Sequence, residues 1–362
     1  MSFPGSYRAG EVEFLLTRLQ AQEFTSVHDK ERLIQSGRRH YSQMLSPESL
    51  PSPRYMAVFE EACRANNARM AADCLRLAGL IAARRSGRIA VVSLARAGTP
   101  VGVVVARLLR EVFERETVHF CVSIVRDRGV DRAALRHILA RGHAPESLVF
   151  VDGWTGKGVI ARELALSVSA FNAAHGTGID NGLHVLSDLA GAAAVAASGD
   201  DYLIPSSILN ATVSGLVSRT VLDERIGPDD FHGCVYYSEF APHDQSQRFA
   251  DALVDLARAQ AGATPPGAAP LDAKAAAERS RAYLDGAMAR YGIADVNLIK
   301  PGIGEATRVL LRRMPRLLVL RQPGAPDVRH LELLAEEKQV PVALDPLLPY
   351  HAVSLIRSAS DA

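Results

Sequence analysis

Three times between residues 88 and 171 one pattern recurs. A short apolar run rich in β-branched residues meets a loop carrying glycine and charge, and a segment with helical spacing follows. RIAVVSL leads into ARAGTP and VGVVVARLLREVF, VHFCVSIV into RDRGVDR and ALRHIL, and SLVFV into DGWTGKG and VIARELALSVSAF. LHVLSD reads as a further strand. Strands and helices alternating at this pace predict an α/β fold built on a parallel sheet with helices on both faces. Ahead of it, residues 55–85 place Phe59, Ala62, Cys63, Met70, Cys74, Leu77 and Ile81 at helical spacing. Ligands of open parallel sheets bind beyond the carboxyl ends of the strands. The three loops are therefore expected to converge on one crevice.

The glycine-, alanine- and proline-dominated stretch QAGATPPGAAP divides the chain. Residues 1–258 form one expected domain with an N-terminal helical extension, 259–271 a linker, and 272–362 a second, smaller domain. With a formal net charge of +1 over 362 residues, no global field favours nucleic acid or membrane. The four cysteines, Cys63, Cys74, Cys121 and Cys234, show neither the paired spacing of a zinc site nor a disulfide framework. No metal-ligand cluster is expected. The start of the chain lacks signal-peptide order and no apolar run is long enough to span a bilayer, so the reading is cytoplasmic, without membrane contact.

In DGWTGKG, Gly156 and Gly158 allow close backbone approach, Thr155 offers a hydroxyl and Lys157 a charge, all at a helix start suited to an anion. Asp152 suits neutral hydroxyls instead, such as a ribose diol. The P-loop pattern fails here, because Val151 and Gly158 stand where it needs Gly and Ser or Thr. In ARAGTP, Arg96 and the backbone of Ala97, Gly98 and Thr99 suit a diphosphate. RDRGVDR reads as a mobile lid carrying Arg126 and Arg128, and Ser206, Asn210 and Arg219 as the wall of an acceptor pocket.

The strand-end motif resembles the ribose-phosphate loop of type I phosphoribosyltransferases, with Gly153 where that family carries a second acid. Seven segments in order (YRAGEVEFLL, IQSGRRHYSQMLSPE, VVSLARAGTPVG, SIVRDRGVDRAAL, FVDGWTGKG, DDYLIPSSILNATVSGLVSRT and FHGCVYY) are similar to a phosphoribosyltransferase-like family of tellurite-resistance and stress gene clusters. Some members of that family carry the label cysteine protease StiP. This resemblance implies a glycosyltransferase using phosphoribosyl diphosphate, its Mg2+ carried by the substrate, and an unknown base-like acceptor. Asp152, Arg126 and Arg128 would be its catalytic residues. A non-catalytic sensor of a phosphoribosyl compound and RNA is a second reading, and the chain admits a homodimer.

A cysteine protease is the third reading. A nucleophilic cysteine needs a nearby base, and both Cys234 with His232 and Cys121 with His119 lie two apart in strand-like runs, on one face. Cys234 and His232 are the preferred pair.

Beyond the linker, NLIKPGIG, EATRVLLRRM, RLLVLRQ, DVRHLELLAEEK and QVPVALD alternate again as a small α/β sandwich. Lys300, Gly302, Gly304, Glu305, Arg308 and Arg312 gather around a glycine turn and helix start, a pattern suited to an RNA backbone. This part resembles the pelota and kink-turn-binding ribosomal protein family, with Gly304 where that family has the base-reading Asn and Arg308 where it has Lys.

Overall fold

The computed structural model describes residues 2–20, 40–45, 47–262, 271–313 and 315–356. Strands β1 (Glu13–Leu15), β3 (Ile89–Ala95), β4 (Thr117–Val125), β6 (Leu148–Thr155), β7 (Leu183–Asp188) and β8 (Val195–Ser198) form one parallel sheet in the order β1-β4-β3-β6-β7-β8. The sheet grows in opposite directions from β3, so the ends of β3 and β6 flank the topological switch point where a crevice opens. The expected α/β class and the small C-terminal domain are both present. Strand β1 lies ahead of the helical segment expected before the sheet. A short parallel pair, β2 (Thr17–Arg18) with β9 (Gly233–Cys234), lies apart from the main sheet.

Helices α1 (Pro53–Arg84), α2 (Gly98–Glu111) and α5 (Ser246–Gln260) pack together. Ser52 Oγ caps α1 by accepting from the Tyr55 N–H at 3.3 Å, and Pro53 occupies its first turn, where a missing N–H costs nothing. Phe59, Met70, Leu77 and Ile81 are fully buried along its inner face, each stabilising by about 1.5–3 kcal/mol. Cys63 is partly buried and packs against the core at the edge of the expected stripe. Helices α3 (Arg132–Ala140) and α4 (Val159–His175) complete the layers.

The RDRGVDR segment, expected as a mobile lid, forms a short hairpin. Asp127 and Gly129 turn the chain at φ 66° and 83°, and β5 (Gly129–Val130) folds back antiparallel on β4. Glu163 Oε2 accepts from Asp127 N at 2.9 Å, and Asp131 Oδ1 caps α3 through Ala134 N at 3.1 Å. Two-strand pairing plus a helix cap fastens the segment at both ends.

After α6 (Ala273–Tyr291), the C-terminal domain is a four-stranded sheet in the order β10-β13-β11-β12, with β10 Ile299–Pro301, β11 Pro315–Leu320, β12 Val342–Leu344 and β13 Ala352–Ile356. Helices α7 (Ile303–Arg312) and α8 (Arg329–Glu337) cover it. Ile303, Ala306 and Leu310 of α7 belong to the same apolar core as α1, so the two domains share buried surface. Among the described residues, no helix is long and apolar enough to cross a membrane.

Candidate functional site

A cavity of about 190 Å³ opens beyond β3 and β6. Arg96, Ala97, Asp152, Ser206 and Arg219, all expected at one site, line it together. Arg308 of α7, expected to hold RNA, closes the wall instead, with its guanidinium 4.4 Å above the Trp154 ring. Sequence reading missed Trp154, although a lone tryptophan in a glycine-rich strand end was a signal.

The charges here are largely engaged. Arg96 pairs with Glu48 at 2.6 Å and donates to the Val217 carbonyl at 2.8 Å. Arg219 donates to the Met44 carbonyl, and Arg308 pairs with Glu305 at 3.3 Å. Asp152 accepts from the Gly153 N–H at 2.8 Å. Burial pushes its carboxyl up to about 6, against the pull of Arg308 and that hydrogen bond.

The remaining expected residues lie elsewhere. Gly98 packs so closely that a Cβ would sit 2.6 Å from the Val151 carbonyl oxygen. Thr99 is fully buried behind the crevice wall. Thr155 Oγ1 accepts from Gly158 N at 2.9 Å, and Gly158 enters α4 at φ 71°. Above this turn sits the C-terminal domain, which fills the space where an anion was expected. Lys157 Nζ donates to the Val296 carbonyl at 2.8 Å, and a Cβ on Gly156 would lie 2.8 Å from the Pro301 oxygen. Burial first, then Lys300, brings the Lys157 ammonium down to about 7. Arg126 donates to Asn297 Oδ1 at 3.3 Å, while Arg128 is exposed on the hairpin. Asn210 lines a different cavity beside Glu48 and Tyr55.

The expected RNA turn is spent on domain docking. Gly302 and Gly304 meet Leu189 and Trp154, where added Cβ atoms would come within 2.5 and 2.6 Å. Asp201 accepts from Ile303 N and His351 N at 2.8 Å each, occupying the positive end of α7. Burial lifts its carboxyl to about 6. Lys300 is half-buried and lowered by burial, and the Arg312 side chain is outside the described residues.

Both Cys/His pairs meet in a buried cluster behind the crevice. Cys121 Sγ lies 3.2 Å from Thr99 Oγ1, and Ser93 is the register partner of Cys121 on β3. Ser93 Oγ is 2.8 Å from His119 Nε2, and His119 Nδ1 lies 3.1 Å from the Glu11 carbonyl oxygen. A carbonyl only accepts, so Nδ1 carries the proton and Nε2 is left to accept from Ser93. Glycine makes the room: a Cβ on Gly102 would sit 2.5 Å from His119 Nε2. His232 Nδ1 is held instead by Ser123 Oγ at 2.8 Å, and its backbone N–H by Asp131 Oδ2 at 2.7 Å. Burial lifts the Cys121 and Cys234 thiols to about 12 each and lowers His119 to about 3. Both thiols and the imidazole are therefore neutral at pH 7.

Residues 5–254 match the family model described as tellurite-like stress resistance cysteine protease StiP, and residues 278–358 match the PELOTA RNA binding domain. The chain is 40% identical to a protein named cysteine protease StiP from Acinetobacter baylyi, over 98% of this chain and 94% of the relative. No solved structure matches. These relationships correct the expectation of a phosphoribosyltransferase acting on phosphoribosyl diphosphate: an end-to-end relative carries a protease name, and the loop assigned to the 5′-phosphate is covered. The chain belongs to the family of tellurite-like stress resistance cysteine proteases described as StiP.

Proposed function

We propose that this chain is a cysteine-dependent peptidase, with Cys121 as nucleophile, Ser93 and His119 as its proton path, and the crevice as the approach for the peptide. The observation that carries this reading is the placement of Cys121 beside its register partner Ser93, whose Oγ lies 2.8 Å from His119 Nε2, in a chain related end to end to a named cysteine protease. Cys234, the pair preferred on spacing, ranks second because the His232 ring is held by Ser123.

In the chemistry this path supports, the thiol proton passes to Ser93 as the serine proton passes to His119 Nε2. The thiolate attacks the peptide carbonyl, the C–N bond breaks, and the imidazolium returns its proton to the leaving amine. Water then hydrolyses the thioester. The folded resting state resists the first step, because burial separates thiol and imidazole in the direction opposed to proton transfer. Thr99 touches the thiol while Ala97 and Pro100 line the crevice, so one layer of wall separates nucleophile from substrate. Displacing it hydrates both groups and moves them toward ordinary values. The resting enzyme is latent on this reading.

Cleavage of a peptide library under reducing conditions tests it. Cys121→Ala should lose cleavage by about a thousandfold or more, while Cys234→Ala keeps most of it. Retained cleavage in Cys121→Ala, or no cleavage by the native chain across the library, overturns the assignment.

A further inference from the structure

Buried donors are almost always satisfied in folded proteins, and three around the crevice find no acceptor among the described residues. They are Ser207 Oγ, Trp154 Nε1 and Arg308 Nε. The three come from separate elements: Ser207 from the short helix Pro205–Ser207, Trp154 from β6 and Arg308 from α7. Ser207 is 3% exposed, so its hydroxyl has been withdrawn from bulk water beside the cavity it lines. A ligand that completes these bonds must present acceptors.

Its charge follows from the lining. Three guanidiniums border the cavity, yet Glu48 and Glu305 neutralise two of them and Asp152 adds an acid of its own. With Asp152 ionised that balance leaves no excess positive charge, which opposes a phosphate dianion more strongly than a single carboxylate. The rest of the wall, including Leu94, Ala95, Ile124, Ile160 and Leu209, suits a short carbon chain. A planar guanidinium fork matches a carboxylate.

We propose that the crevice recognises a peptide carboxylate, either a C-terminus or an Asp or Glu side chain, and that Arg308 of the C-terminal domain is part of the recognition site. This rests on the peptidase reading for its substrate class. It makes the C-terminal domain a wall of the substrate site.

Trp154 is the only tryptophan in the chain, so its fluorescence reports on this site without reference to catalysis. The full-length protein is titrated with an N-acetylated tripeptide ending in glutamate, with the matching glutamine amide, and with inorganic phosphate. The acidic peptide should shift Trp154 emission saturably, at an affinity about tenfold or more above the amide. Arg308→Gln should weaken it by about tenfold to a hundredfold, with partial recovery in Arg308→Lys. Ser207→Ala, a milder change, should weaken it by about tenfold or less. Equal binding of acid and amide overturns the proposal, as does phosphate binding more tightly than the peptide. Acidic-peptide binding without any cleavage upholds the recognition site and defeats the peptidase reading alone.

Discussion

Asp201→Ala tests how the two domains are joined. The carboxylate accepts from Ile303 N and His351 N at 2.8 Å each, bridging from the large domain to the start of α7 and the edge of β13. Removing it leaves two N–H groups unsatisfied, at about 1–3 kcal/mol apiece, or roughly 4 together. An opposing contribution depends on pH. Burial holds the Asp201 carboxyl at about 6, above its ordinary 3.8. Between those values the folded state binds more protons than the unfolded state, so wild-type stability falls as pH rises through that window. At pH 7 the buried charge costs about 3 kcal/mol, and at pH 4 less than about 1. Asp201→Ala escapes that cost, so its net destabilisation should be about 1 kcal/mol at pH 7 and about 3–4 at pH 4. Urea unfolding followed by Trp154 fluorescence at both pH values reads the difference between wild type and variant. A destabilisation that shrinks on acidification would refute the reasoning, since it requires a carboxyl lowered by its partners.

Arg96→Ala should cost about 3–5 kcal/mol, because Glu48 stays buried without its partner. Thermal denaturation should show Arg96→Ala with Glu48→Ala recovering part of that loss. Gly304→Val drives a side chain into the Trp154 ring and should cost about 1–3 kcal/mol, with a red-shifted Trp154 emission as the domain lifts. Gly102→Ala should impair cleavage more than stability by jamming His119 against Ser93, which paired activity and melting measurements will separate. His119 is held near 3 by burial, so the unfolded chain binds its proton first as pH drops below 6.5. Stability should therefore fall with acidification, and less steeply in His119→Gln.

The alternation of strand, loop and helix was legible because each signal is local: period-two and period-3.6 spacing, β-branched runs, glycine at turns. Those signals sufficed for the parallel sheet and for placing Arg96, Ala97, Asp152, Ser206 and Arg219 along one cavity wall. They also sufficed to put His119, Cys121 and Cys234 on strands, whereas His232 lies just before β9. The availability of each charge was a different matter. Arg96 looked free in ARAGTP, and it is held by Glu48 and by the Val217 carbonyl, partners brought from distant parts of the chain. DGWTGKG looked open to phosphate, and it is roofed by Val296, Pro301 and Glu305 of the second domain.

Local sequence thus determined which elements form and where their chemical groups emerge. Only the tertiary structure decided which groups remain available to a ligand. The physical reason is that backbone preference acts over a few residues, whereas a buried guanidinium, thiol or N–H must find its partner wherever folding places one. Arg308 meets Trp154, and Thr99 meets Cys121, through contacts that no local pattern encodes.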